Sequence, residues 1–134
     1  MFLKSTFVTI ATSKLDILVQ FYTNLIGREP KSYIHQIYAE FQLTNLRLGI
    51  FQPKEGQSQE FDQGKSPISL CFEVSELESA IAHITALGYP PPCEIINASH
   101  GREIYAYDPD GNRIIFYQPK NWEIGDVEIP LNPP

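Results

Sequence analysis

Cysteine is scarce. There are two, Cys71 and Cys93, with no Cys-x-x-Cys pair, so a zinc or redox site has no support from cysteine. Each falls in a separate predicted strand, and both are expected as reduced, buried thiols. Basic residues are outnumbered, 10 Lys+Arg against 16 Asp+Glu, for a net charge of −6. A chain of that sign repels phosphate backbones, which sets nucleic acid aside as a partner. The charges are spread out, and neither a basic patch nor a basic amphipathic helix points to a membrane surface. No uncharged apolar run approaches the roughly 18 residues that span a bilayer. The start, Met1-Phe2-Leu3-Lys4, lacks the apolar stretch of a signal peptide, so a cytoplasmic protein is expected. Phosphate-loop, Ser-His-Asp and dinucleotide patterns are missing as well.

What is present is an ordinary globular composition, 43% apolar and 19% charged over 134 residues, enough for one compact domain with a real core. The most informative stretch is residues 101–119, GREIYAYDPDGNRIIFYQP. Two strand-like runs, Arg102–Tyr107 and Arg113–Tyr117, flank Asp108-Pro109-Asp110-Gly111-Asn112. Pro109 presets φ for a turn, Gly111 supplies positive φ, and the Asp and Asn side chains bond nearby amides. This is a hairpin.

The rest of the chain repeats one unit. Ser5–Thr12 reads as a strand, Ser13 as an N-cap with Asp16 in the capping-box position, and Leu15, Leu18, Val19, Tyr22, Leu25 and Ile26 as a helical stripe ended by Gly27. Strands follow at 31–36, 37–43 and 46–52. After a polar loop, Pro67–Val74 reads as a strand, Ser75 and Glu78 repeat the capping box, and Leu77, Ala80, Ile81, Ile84 and Leu87 form the stripe ended by Gly88. Strands at about 93–98, 102–107 and 113–117 complete it. Residues 45–53 align without gaps to 111–119, with Arg47, Gln52 and Pro53 matching Arg113, Gln118 and Pro119. The expected fold is therefore α+β, two tandem βαβββ modules of mixed sheets around a cleft, within a single domain 1–134. Module 1 covers about 5–53, a loop 54–66, module 2 about 67–119, and a tail 120–134 holds Trp122.

Strand parity divides helix-facing from cleft-facing residues. In Ile68–Val74, the apolar face Ile68, Leu70, Phe72 and Val74 is expected under the second helix, leaving Ser69, Cys71 and Glu73 for the cleft. By parity Phe7, Thr9, Arg113, Ile115 and Tyr117 are expected there too, and the repeat adds Arg47, Gly49 and Phe51. Glu73 is the sharpest acidic candidate, as a group of raised pKa or as the partner of Arg47 or Arg113. The plainer reading is a structural ion pair. Arg47 and Arg113 occupy equivalent places and can hold an anion bidentately, or can be solvated strand-end cations. His35 and His100 stand near turns and can serve as general bases at a cleft mouth, surface histidine being the plainer reading. His83 is expected in solvent. Arg102 and Glu103 either line the cleft or pair with each other. Tyr105 and Tyr107 either contact a ligand or belong to the sheet surface.

The duplicated βαβββ plan and the Asp-Pro-Asp-Gly-Asn hairpin together resemble the vicinal oxygen chelate superfamily (glyoxalase I, extradiol dioxygenases, bleomycin and fosfomycin resistance proteins) over about residues 5–119. The resemblance implies one divalent metal held by the first and last strands of each module. Carried over by position, its ligands fall on Phe7, Ser69, Ile115 and Gly49, where Glu or His would be needed. The expectation is thus a member without the family's metal and with no cofactor. It would bind a small organic molecule in the inter-module cleft through Phe7, Thr9, Arg47, Phe51, Ser69, Cys71, Glu73, His100, Arg113, Ile115 and Tyr117, with catalytic residues unknown. A homodimer is expected, as is common for the fold. The alternative is a lyase or dioxygenase of the same superfamily. It would use a relocated metal site drawn from His35, Glu73, His100 and Glu103, or metal-free acid–base chemistry.

Overall fold

The computed structural model describes residues 1–61 and 66–120. Two compact units lie on either side of residues 62–65. The first runs β1 (Val8–Ala11), α1 (Leu15–Ile26), β2 (Ser32–Ile34), β3 (Tyr38–Leu43) and β4 (Leu46–Phe51). The second runs β5 (Leu70–Glu73), α2 (Leu77–Ala86), β6 (Ile96–Ala98), β7 (Gly101–Tyr107) and β8 (Arg113–Pro119). Each unit folds into a four-stranded mixed sheet of the same order, β1-β4-β3-β2 and β5-β8-β7-β6. The first strand pairs parallel to the fourth, and the other neighbours are antiparallel. This is the βαβββ duplication expected from the sequence.

The repeat extends to single hydrogen bonds. Val8 stands opposite Leu48 and Leu70 opposite Ile114. Just past those strands, the Thr12 amide donates to the Phe51 carbonyl at 2.9 Å and the Val74 amide to the Tyr117 carbonyl at 2.8 Å. Asn45 and Gly111, the first residues of the gapless alignment, both have positive φ, 65° and 84°. Asparagine is among the few residues that tolerate that conformation.

Each helix covers one face of its own sheet. Leu15, Leu18, Phe21 and Tyr22 of α1 are buried, as are Ala39, Phe41, Leu48 and Ile50 of the strands. In the second unit the buried set is Leu77, Ile84, Ile104, Ala106, Ile114 and Phe116. Leu18 and Ile84 are both at 0% exposure, and full burial of such a side chain is worth about 2 kcal/mol. Gly27 ends α1 with φ 78°, its amide returning to the Thr23 carbonyl at 2.9 Å. Gly88, with φ 100°, stands one residue past the Leu87 cap of α2, its amide donating to the Thr85 carbonyl at 3.0 Å.

The helix starts differ from the expected capping boxes. The N-cap positions are Lys14 and Glu76, not Ser13 and Ser75, and neither makes a side-chain cap bond. Upstream and distant groups take over instead. Thr12 Oγ1 accepts from the Lys14 amide at 2.9 Å. Gln118 Oε1, on β8, accepts from the Leu77 amide at 2.7 Å. An orphan amide of a helix's first turn is satisfied by any well-placed acceptor, local or not.

Four expected strands prove markedly shorter. β1 starts at Val8, β2 keeps only Ser32–Ile34, β5 starts at Leu70 and β6 at Ile96. Ile68 therefore lies outside β5 and is 75% exposed, not under α2. Leu70 pairs with Ile114, so Ile68 would meet Asn112, which belongs to the turn. Both cysteines are exposed, not buried. Cys71 alternates with Leu70 and Phe72 and so takes the face away from α2. Cys93 follows Pro90-Pro91-Pro92, which cannot donate to a ladder, and precedes β6. In the expected loop 54–66, Ser58–Phe61 forms a 3₁₀ turn. Trp122 and the rest of the tail after Lys120 lie outside the described residues.

The 108–112 turn is built on one carboxylate. Asp108 is 3% exposed. Its Oδ1 accepts from the Asp110 and Asn112 amides, both at 2.9 Å, and its Oδ2 from Asn112 Nδ2 at 2.8 Å. The Asp108 amide donates to the Asn112 carbonyl at 3.0 Å, and the Gly111 amide to the Asp108 carbonyl at 2.9 Å. The turn sets where β8 begins and hence which face each of its side chains takes.

Candidate functional site

The expected site residues cluster on the helix-free face of each sheet. In the first unit the ladder puts Thr9 beside Gly49 and Gly49 beside Glu40, with Ala11, Phe51 and Tyr38 on the next rung. A polar chain crosses this face. Tyr38 Oη donates to Glu40 Oε1 at 3.0 Å, and Arg47 Nη1 stands 3.4 Å from the same oxygen. Arg47 Nη2 donates to Ser5 Oγ at 2.8 Å, and the Phe7 ring lies 4.4 Å from the guanidinium carbon, a cation–π contact. Burial, then the bond to Glu40, pushes the Tyr38 phenol up, with Arg47 acting against them. Gly49 permits this arrangement, because a Cβ there would sit 2.9 Å from Tyr38 Oη. Phe51 meets Phe61 edge-on, with ring centroids 5.1 Å apart.

In the second unit the corresponding face holds two clear rungs. One is Cys71, Ile115 and Tyr105, and the next is Glu73, Tyr117 and Glu103. Arg113 stands beside Tyr107 at the turn end. It donates to Ser69 Oγ at 3.0 Å and to the Ser66 carbonyl at 3.2 Å. Tyr117 Oη donates to the His100 carbonyl at 3.0 Å, and the two rings lie 5.7 Å apart. Among the described residues, Glu73 and Glu103 have no ion pair or hydrogen bond through their side chains. Partial burial, then the nearby Glu103 and Glu73 carboxylates, push the Cys71 thiol up.

Most of the expected ligand-facing residues therefore share a face within their own unit. These are Thr9, Arg47 and Phe51 in the first, and Cys71, Glu73, Arg113, Ile115 and Tyr117 in the second. Phe7 and Ser69 precede their strands and touch the two arginines. His100 reaches its face through Tyr117. The expected pairing of Glu73 with an arginine is not formed, since Arg47 pairs with Glu40 and Arg113 with neutral oxygens. His35 is an exposed turn residue, the plainer of its two expected readings. Its Nδ1 is 3.1 Å from Asp16 Oδ1 on α1, and Tyr33, which faces α1, donates its hydroxyl to the same oxygen. That bond, with burial, pushes the Tyr33 phenol up to about 12. Tyr38 and Glu40 were not among the expected site residues. The alternation Tyr38, Glu40, Gln42 against Ala39, Phe41, Leu43 carries the signal that finds them.

Arg102 and Glu103 point to opposite faces and cannot pair. Arg102 instead holds Glu78 of α2 bidentately, at 2.6 and 2.8 Å, and also reaches Gln118 Oε1 at 2.8 Å. The guanidinium pulls the Glu78 carboxyl down from its ordinary 4.5 to about 2. A carboxyl lowered by folding contributes stability above its ordinary value and loses it as pH falls through the folded one. The contribution is thus present above about pH 4.5 and disappears between 4.5 and 2. In Arg102→Met, the Glu78 titration is expected to move up toward 4.5 by carboxyl NMR. An unmoved titration would show that Arg102 is not the cause.

The four positions that the resemblance assigns to metal ligands do not fit a metal. Phe7 and Ile115 have hydrocarbon side chains, Gly49 has none, and the Ser69 hydroxyl already accepts from Arg113. Among the described residues, no three His, Cys, Asp or Glu side chains gather closely enough to hold one elsewhere. His35 lies with Asp16 in the first unit, while Glu73, His100 and Glu103 belong to the second, so the relocated set is not assembled within either unit. No helix among the described residues is long and apolar enough to cross a membrane.

Residues 5–116 match the sequence model of the Glyoxalase/Bleomycin resistance protein/Dioxygenase superfamily. Comparison with curated proteins finds no match. Among solved structures, a glyoxalase/bleomycin resistance protein from Catenulispora acidiphila DSM 44928 is 23% identical, covering 84% of this chain and 96% of that one at a TM-score of 0.63. The fosfomycin resistance protein FosX of Listeria monocytogenes is 19% identical, covering 91% and 95% at a TM-score of 0.72. A glyoxalase-related enzyme from Fulvimarina pelagi is also 19% identical, covering 92% and 94% at 0.68. At these identities the likeness is one of fold.

Proposed function

Because the chain belongs to the glyoxalase/bleomycin resistance protein/dioxygenase superfamily, we propose that it is a metal-free member that binds a small organic molecule on the helix-free faces of its sheets. The donor chemistry at the four family positions supports this reading. Phe7, Gly49, Ser69 and Ile115 supply no imidazole or carboxylate, and Phe7 and Ser69 are already engaged by Arg47 and Arg113. The faces that remain mix aromatic rings, apolar side chains and a few charges, as small-molecule sites do.

Elemental analysis tests the metal side of the proposal. Protein purified without chelator, and again after dialysis against Mn²⁺, Fe²⁺, Ni²⁺ and Zn²⁺, is expected to carry no stoichiometric metal. One metal per chain would overturn it. A thermal-shift screen of small aromatic and ionic compounds tests the binding side. A concentration-dependent rise in Tm is expected for some of them, since a ligand that binds only the folded state stabilises it. A flat response across the screen would overturn binding.

A further inference from the structure

The helix-free face of the second unit is polarised along its strands, and the repeat shows how. Arg47 and Arg113 occupy equivalent positions, yet Arg47 is neutralised by Glu40 while Arg113 meets only the neutral oxygens of Ser69 and Ser66. Arg113 therefore keeps an uncompensated positive charge at the turn end of β8. A guanidinium prefers a carboxylate or phosphonate to a neutral hydroxyl. Four residues along the same strand and on the same face stands Tyr117, with Glu73 on one side and Glu103 on the other. At the rise of an extended strand, Arg113 and Tyr117 are about 13 Å apart. Neither glutamate has a counter-charge among the described residues. Between the two ends lies an uncharged rung, Cys71, Ile115 and Tyr105.

We propose that this face takes a zwitterion: an anionic group on Arg113, an apolar or aromatic body over Ile115 and Tyr105, and an ammonium group at Tyr117 between Glu73 and Glu103. Three features carry it together. The free guanidinium selects the anion. The middle rung offers apolar and aromatic surface. At the far end an aromatic ring flanked by carboxylates is the combination that recognises an organic cation. The ring is held in place by its own hydroxyl, bonded to the His100 carbonyl. The raised Cys71 thiol is consistent with negative potential reaching that rung from Glu103 and Glu73. The opposite end charges also explain why Glu73 and Arg113 are not paired with each other: they stand too far apart along the strands.

The inference rests on the proposed small-molecule binding and specifies the ligand class. Its test uses the tripeptide Gly-Phe-Gly, whose free termini stand about 10 Å apart when extended, with its N-acetylated and C-amidated forms. Titration calorimetry on the full chain is expected to show the free tripeptide binding at least about tenfold more tightly than either blocked form, the size of one lost charge-assisted contact. In Arg113→Gln the preference for the free carboxylate should vanish and the preference for the free amine remain. Arg113→Lys should restore part of the former. The double variant Glu73→Gln, Glu103→Gln should show the reverse pattern. Equal affinity of all three peptides, or loss of both preferences in every variant, would overturn the proposal. If no peptide binds while other screened compounds do, the zwitterion is wrong and small-molecule binding stands. If nothing binds, both fall.

Discussion

Asp108→Ala is expected to lower stability by about 3 kcal/mol. The carboxylate is buried and accepts from two backbone amides and one side-chain amide of a single five-residue turn. Removing it leaves three donors without their partner, and alanine offers no replacement. Hydrogen bonds to a charged group are worth more than neutral ones, and an orphaned buried amide carries its full desolvation cost. Asp108→Asn keeps an oxygen for the two backbone amides but presents an amide group to Asn112 Nδ2, so about half the loss is expected. Urea unfolding of the three proteins measures this. A loss below about 1 kcal/mol for the alanine variant would mean that water replaces the carboxylate and that the turn is not built on it.

Gly101→Ala should cost about 2 kcal/mol, for a different reason. A Cβ at Gly101 would stand 2.4 Å from the Gln118 carbonyl oxygen and 3.0 Å from Pro119 Cα, both backbone atoms of the paired strand, and 2.9 Å from a carbon of the Tyr117 ring. A flexible side chain can turn away. A backbone carbonyl in a ladder moves only if the strands part. The end of the β7–β8 pairing, Gly101 with Pro119 and Arg102 with Gln118, should therefore open. Gln118 would lose its grip on the Leu77 amide with it. Faster hydrogen exchange near β8's end, together with the stability loss, is the expected signature. Stability unchanged within about 0.5 kcal/mol would show that the strand ends absorb a methyl group freely.

Much of this architecture is legible in the sequence because it rests on local rules. Alternation in Arg113–Tyr117 places Ile114 and Phe116 in the core and Arg113, Ile115 and Tyr117 outside it. The Asp-Pro-Asp-Gly-Asn run specifies its turn, and Gly27 and Gly88 end their helices. What local rules do not reach are contacts made from far along the chain. Ser75 looks like an N-cap because the local pattern permits it, but Gln118, 41 residues from Leu77, supplies the acceptor. Cys71 looks buried because cysteine usually is, but its parity puts it on the open face. Nothing local singles out Glu40, one of three polar positions alternating with buried ones along its strand. Its role depends on Arg47, on the facing strand, and on the absence of a side chain at Gly49, which lets Tyr38 reach across. Such a network is a property of two paired strands at once.

The parallel pairing of each unit's first strand with its fourth governs how the chain comes off the ribosome. Val8 has no ladder partner until Leu48 has been made, and Leu70 none until Ile114. The β3–β4 and β7–β8 hairpins close as soon as their second strands appear, whereas each opening strand must wait through a helix and three further strands. In both halves the strand synthesised first cannot enter its ladder before the fourth strand of its unit exists. For that interval the apolar residues that join the ladder late, Ile10 in one half and Leu70 and Phe72 in the other, are surface a chaperone would meet.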